Sequence, residues 1–298
     1  METPSLSRRQ RANRALAPAG DGSPLELHVY EPHPIGLPPL GKYLRTFWAR
    51  RHFAYELARA NLRAQHYNTA LGQLWLVVNP LLLGLIYFIL VYIIGGGSRG
   101  ITFLAHLMLC LFAFRLVSTS FTQGARSVVR GGRLILNTAF PRTLLPLSSV
   151  LTSLGQFLPT LLVYAGIHAI AGLPVGWHLI WAVPILVLFV VFAAGAAMLA
   201  ATAQVYFRDF ANFLPYVTRI WLYLSPVLYY ADEVPQKFKA LVAVNPLFPL
   251  ISTFSDVVNQ GQSPSAGYML WGLASAVVTF LVGALLFISR EREFAVRI

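Results

Sequence analysis

Few side chains in this sequence are placed to make or break a bond. The 11 acidic residues are Glu2, Asp21, Glu26, Glu31, Glu56, Asp209, Asp232, Glu233, Asp256, Glu291 and Glu293, and none falls inside a long apolar span. A carrier coupled to protons or sodium needs a carboxylate at depth, so that class is disfavoured. A membrane glycosyltransferase needs cytoplasmic carboxylates to hold a metal on a sugar nucleotide. Asp232 and Glu233 are adjacent, but they fall in a loop expected to face outward, where a surface turn is the simpler meaning. Cys110 is the single cysteine, so no internal disulfide or cysteine-based zinc site can form, and it reads as a small buried hydrophobe. Gly36 to Tyr43 almost spells a phosphate-binding loop. Tyr43, however, stands where a small hydroxyl must reach magnesium, no strand precedes it, and Pro38 and Pro39 remove backbone donors. The expectation is no catalytic residue, no metal site and no cofactor on this chain. If ATP drives the protein, ATP and magnesium belong to another polypeptide.

Cations and aromatics remain. Arg115 and Arg219 lie inside apolar blocks. Arg115 is close enough to one end to snorkel, whereas Arg219 stands just before Trp221 and Tyr223 and either meets a passing phosphate or bonds a neighbouring helix. Tyr87, Phe88, Tyr92, Tyr223, Tyr229 and Tyr230 gather toward the outer ends of two spans. Interfacial belts account for such residues; the functional alternative is a flat surface over which sugar rings slide while hydroxyl edges exchange hydrogen bonds. The candidate pathway is Tyr87, Tyr92, Arg219, Trp221, Tyr223 and Tyr229. His106 and His168 are explained by hydrogen bonds between helices.

The elements that must hold these groups are membrane helices. Of 298 residues 56% are hydrophobic and 11% charged, against roughly 25% charged in a soluble domain. The apolar residues form blocks at 74–94, 101–121, 144–171, 179–205, 213–230 and 268–288, and about 20 such residues cross a bilayer. The fold expected is an all-α polytopic membrane protein with six transmembrane helices. Of the 23 Lys and Arg, only Arg99, Lys237 and Lys239 fall in loops of one side. The opposite side holds the N-terminal region, Arg126, Arg130, Arg133, Arg142, Arg208 and the C-terminal cations, which places both termini in the cytoplasm. The net charge of +12 therefore describes membrane flanks, and nucleic acid is not an expected partner.

Residues 1–42 read as a disordered cytoplasmic tail, 43–73 as an amphipathic interfacial helix with its lead-in, 74–289 as the transmembrane domain and 290–298 as a cytoplasmic tail. No apolar run follows the early arginines, so insertion is expected to be directed by a later span. The helix over 43–65 places Leu44, Phe47, Trp48, Tyr55, Ala58 and Leu62 near one face and Arg59 and Arg63 toward the other, as suits the inner leaflet. Between the fifth and sixth spans, 241–254 is too short to cross and is interrupted by Pro246 and Pro249, so it reads as an outer re-entrant or surface helix.

Leu71, Gly72, Trp75, Asn79 and Pro80 at the start of the first span resemble the opening signature of the ABC-2 type polysaccharide export permeases, which include Wzm-like and TagG-like proteins. Leu134-Ile135, Phe140-Pro141-Arg142 and Leu145-Pro146 follow, then Arg208-Asp209, Trp221, Ser225-Pro226, Val234-Pro235 and Asn245-Pro246, in the family's order from Tyr43 onward. The family's aromatic ahead of the Leu-Gly pair is out of register here, at His66 or Tyr67, and Phe114 beside Arg115 stands for the one late in the second span. Among branches, the sequence is most similar to the actinobacterial exporter of lipid-linked galactan, a cell-wall precursor.

The resemblance implies a bacterial plasma-membrane permease without enzymatic activity, working as two copies with two ABC ATPase subunits on a lipid-linked polysaccharide. It places the interfacial helix at 43–65, with Phe47, Trp48, Tyr55, Arg59 and Arg63 against membrane lipids, and a coupling helix between Gly124 and Asn137. Arg126, Arg130 and Arg133 would meet the ATPase, a role they share with setting topology near lipid headgroups. A membrane-embedded glycosyl or lipid transferase and an ABC-2 exporter of a small hydrophobic compound are the alternative readings.

Overall fold

The computed structural model describes residues 39–65, 69–95 and 99–297, except the side chains of Ala240 and Ala243. The N-terminal arginine cluster, the start of the phosphate-loop-like stretch, and His66 and Tyr67 lie outside the described residues. The helices are α1 (Leu40–Ala49), α2 (Arg51–Ala64), α3 (Trp75–Ile94), α4 (Ile101–Arg130), α5 (Gly132–Asn137), α6 (Leu144–Ile170), α7 (Ala182–Tyr206), α8 (Phe210–Leu224), α9 (Lys239–Ala243), α10 (Phe248–Asn259), α11 (Ala266–Arg290) and α12 (Phe294–Arg297).

Among the described residues five helical segments are long and apolar enough to cross a membrane, those built on α3, α4, α6, α7 and α11. Helix α4 is the axis of the bundle, packed between α6 and α7, while α11 lies along α7 and α3 leans on α4 and α6. Within their most apolar stretches, 72% of α4 is buried against 11% of α3, so α3 presents nearly its whole surface outward. Helix α7 is apolar around its full circumference and rich in Ala, as suits a helix that packs against others on one side and faces lipid on the rest. At Gly195 and Gly283 the backbones of α7 and α11 touch, and at Gly124 α4 meets Ala197 as closely.

Four expectations are corrected. The single helix at 43–65 is two helices beginning at Leu40 and broken at Arg50. Its inward line is Phe47, Phe53, Ala54, Leu57, Ala58 and Leu62, whereas Trp48 and Tyr55 are exposed beside Arg59 and Arg63. The expected fifth span, 213–230, holds the 15-residue helix α8, about 22 Å long against a hydrocarbon core of about 30 Å. It ends at Ser225, whose extended conformation follows from Pro226, since proline clashes with a helical residue before it. The stretch 241–254 is divided between α9 and α10, and α10 is buried among α4, α7 and α11, which overturns the surface-helix alternative and not the re-entrant one. Residues 290–298 include no free tail over 291–297: Glu291 and Phe294 are buried, and Phe294 packs edge-on against Phe287.

His106 bridges helices as expected, 2.6 Å from Ser255 Oγ and 3.3 Å from the Tyr229 carbonyl oxygen, whereas His168 does not, its Nδ1 lying 3.3 Å from the Tyr164 hydroxyl one turn earlier in the same helix. Cys110 is fully buried beside it.

Candidate translocation groove and coupling end

Helices α3, α4 and α8 leave a groove of about 350 Å³ between them. Tyr87 enters it from α3, Arg219, Thr218 and Pro215 from α8, and Arg115, Ser118, Thr119 and Thr122 from α4. The α4 residues make a polar stripe on a helix that is otherwise core, and Thr122 satisfies its hydroxyl on the Ser118 carbonyl oxygen at 2.9 Å. Tyr87 lies within electrostatic range of both Tyr223 and Arg219. Tyr92 and Tyr223 are exposed.

Trp221 and Tyr229 stand apart from that surface. The Trp221 ring packs against Phe114, Phe121 and Phe192, and its Nε1 donates to Asn245 Oδ1 at 2.8 Å. Tyr229 packs with Val234, Val242 and Phe248. Asn245 Nδ2 donates in turn to the Leu224 carbonyl oxygen and to Ser225 Oγ. Trp221, Ser225-Pro226 and Asn245-Pro246 are therefore one knot, stopping α8 and fastening it to the start of α10.

On the other side of α3 is a cavity of about 230 Å³ lined by Gln65, Trp75, Asn79, Pro80, Arg115, Gln123, Gln156 and neighbours. Trp75, Asn79 and Pro80 of the opening motif line it, Leu71 is exposed, and Gly72 takes φ +51, a left-handed turn that a side chain would strain. Gln156 Nε2 donates to Gln65 Oε1 at 2.6 Å, and Gln73 Nε2 donates to the Leu62 and Gln65 carbonyl oxygens. These bonds fix the end of α2 to α6 and α3. The glutamines escaped the sequence reading, although Gln156 within an apolar block was the available cue.

At the arginine-rich end, the Phe140-Pro141-Arg142 motif forms a junction. Phe140 meets Phe53 of α2 at 5.0 Å, and Arg50 bonds the Ala139 carbonyl oxygen. The buried Glu291 carboxylate accepts from the Arg142 backbone N–H at 2.7 Å and from the Tyr43 hydroxyl at 2.5 Å, while the Arg142 guanidinium bonds the Glu291 carbonyl oxygen. Burial pushes Glu291 up despite these donors, and burial together with the Glu291 charge raises Tyr43. One carboxylate thus joins the first helix, the second loop and the end of α11. Arg126 and Arg130 lie exposed on the α4 extension and Arg133 on α5. Arg208 and Asp209 are exposed where α8 begins, with the Arg208 carbonyl oxygen accepting from Gln204.

A family model described as ABC-2 type transporter matches residues 54–259, well over half of the chain. This chain belongs to the ABC-2 type transporter family. The permease is similar to the O-antigen export system permease protein RfbA of Klebsiella pneumoniae, 26% identical over 240 residues that cover 80% of the chain and 92% of that relative. It is also similar to RfbA of Myxococcus xanthus, 24% identical over 256 residues covering 85% and 98%. With its family and its five long apolar helices, it is an integral membrane protein.

At the end of the molecule away from these arginines, Arg99 Nη1 and Glu233 Oε1 pair at 2.7 Å, and the guanidinium covers the Phe103 ring. Burial alone would raise Glu233, but the Arg99 bond, the Tyr230 N–H and the Arg99 charge hold it below its ordinary 4.5. Its contribution to stability is therefore present above 4.5 and lost as pH falls through the lower folded value. Arg99→Gln is expected to cost about 0.5–1 kcal/mol near neutrality, after discounting for exposure, and to flatten that acid limb. Thermal unfolding of both proteins across the acid range checks this; parallel curves would refute it.

Proposed function

We propose that this permease is the membrane half of an exporter that carries a polyprenyl-diphosphate-linked polysaccharide from the cytoplasmic to the outer face of the bacterial plasma membrane. ATP is hydrolysed on a separate subunit, and two copies of the chain work with two such ATPases. The observation that carries this reading is the similarity, over most of both chains, to permeases named for O-antigen export. The narrower substrate we favour is cell-wall galactan, on the motif resemblance.

In this reading the chain crosses six times with both ends in the cytoplasm, the fifth crossing being completed by α8 and the chain that follows it. The exposed tyrosines beside the groove offer sliding surfaces for sugars, with the lipid remaining in the bilayer. Arg126, Arg130 and Arg133 receive the push of the ATPase. The Glu291 junction passes it to α1 and α11, because a buried carboxylate shared by three elements moves them together.

Depleting the permease is expected to accumulate lipid-linked glycan on the inner leaflet; undiminished surface glycan would refute the reading. Arg130→Ala should lower transport-stimulated ATP hydrolysis severalfold and leave ATP binding by the partner unchanged. Unaltered stimulation would remove Arg130 from coupling.

A further inference from the structure

Arg115 has an environment that its sequence position did not disclose. It is the fifteenth of the 30 residues of α4, so it sits about 21 Å along the helix from Ile101. Its side chain is half-buried and opens into two hollows of the bundle, and among the described residues its guanidinium has no hydrogen-bond acceptor and no carboxylate partner. It lines both the 230 Å³ cavity and the 350 Å³ groove, and no Asp or Glu among the described residues lines either. A cation at this depth in a bundle faces a cavity or a pathway and pairs with what occupies it.

The other linings say what that occupant is. Asn79, Thr119, Gln123 and Gln156 bring neutral polar side chains to the cavity, while the Ser153 and Thr160 hydroxyls donate to carbonyl oxygens of their own helix. Across the groove stands Arg219, a second arginine without a carboxylate partner among the described residues. Two cations facing one groove, with Leu83, Leu111, Phe114 and Leu222 as its apolar walls, match an anion of about two charges on an apolar chain. A carboxylate ligand would use one arginine and leave the other uncompensated.

We propose that Arg115, together with Arg219, binds the phosphate end of a lipid, and that in the working transporter this is the diphosphate of the exported glycolipid. The second half of the proposal rests on the function proposed above. The site deepens that function, because it gives the headgroup a station inside the bundle next to Gln65, whose bond to Gln156 fixes the end of α2. Arg115 is thus a binding residue for the lipid anchor, whereas the tyrosines serve the sugars.

The test uses the assembled permease and ATPase complex in nanodiscs of phosphatidylcholine, with labelled farnesyl diphosphate as the probe. Saturable binding is expected, weakened about tenfold or more by Arg115→Gln, partly retained by Arg115→Lys, and weakened less by the exposed Arg219→Gln. Arg219→Gln also keeps the site testable if Arg115→Gln fails to assemble. Farnesol should not compete, and phosphatidylglycerol should compete only weakly. Equal competition by phosphatidylglycerol would assign the arginines to bulk lipid headgroups and overturn the glycolipid site. Undiminished binding in both glutamine variants would overturn the site altogether. Failure of the export reading is distinguishable: depletion would then leave surface glycan unchanged while the diphosphate still bound through Arg115.

Discussion

Gly283→Leu is expected to yield a permease that no longer folds stably, at a cost of about 3 kcal/mol or more. A Cβ on Gly283 would come within 2.3 Å of the Gly195 carbonyl oxygen and 3.0 Å of its Cα. Those atoms are backbone in the middle of α7, so they cannot swing aside as a side-chain end would. The reciprocal contact is equally tight: a Cβ on Gly195 would stand 2.5 Å from the Phe280 nitrogen. With lipid tails as apolar as the side chains, helices in a bilayer associate through close packing, and the absence of two side chains is what lets α7 and α11 meet. Gly267→Ala is the matched control, because nothing lies within 4 Å of the place its methyl group would occupy and the substitution should gain helix propensity. Thermal unfolding of the purified proteins decides it, and a Gly283→Leu protein as stable as the Gly267→Ala protein would remove this contact from the account.

The membrane class and five of the helices were legible because hydrophobic blocks of sufficient length carry their own signal. The fifth block misled for a physical reason. Its composition continues to Tyr230, but Ser225-Pro226 ends the helix at Leu224, and hydropathy does not register what a proline ring does to the residue before it. The same blindness hid α10: 241–254 reads as one interrupted apolar stretch, whereas burial of α10 depends on α4, α7 and α11 closing over it. In the groove, Tyr87 and Arg219 were visible as exceptional residues within apolar blocks. Trp221 was visible too, but nothing local to it says that Asn245, 24 residues on, will take its N–H and hold its ring against the core. Glu291 was unreadable because its partners, Tyr43 and Arg142, come from distant parts of the chain.

Asn245→Ala is expected to destabilise the permease by about 3 kcal/mol and to impair transport through α8. The buried Asn245 amide makes four bonds: its Oδ1 accepts from Trp221 Nε1 at 2.8 Å and from the Leu247 N–H at 3.0 Å, and its Nδ2 donates to the Leu224 carbonyl oxygen at 3.1 Å and Ser225 Oγ at 2.9 Å. Alanine replaces none of them, and each buried polar group left without a partner costs about 1–3 kcal/mol, with some relief from relaxation. The lost bonds are also those that hold the end of α8 against α10, so Arg219 and Tyr223 lose their fixed position beside the groove. A double-mutant cycle isolates this. Trp221→Phe removes the donor while keeping most of the ring that packs against Phe114, Phe121 and Phe192. In that background Asn245→Ala should cost less, by about 1 kcal/mol, because one orphaned group has already gone. Strict additivity would mean that the Trp221 bond contributes nothing, and that α8 is held by ring packing alone.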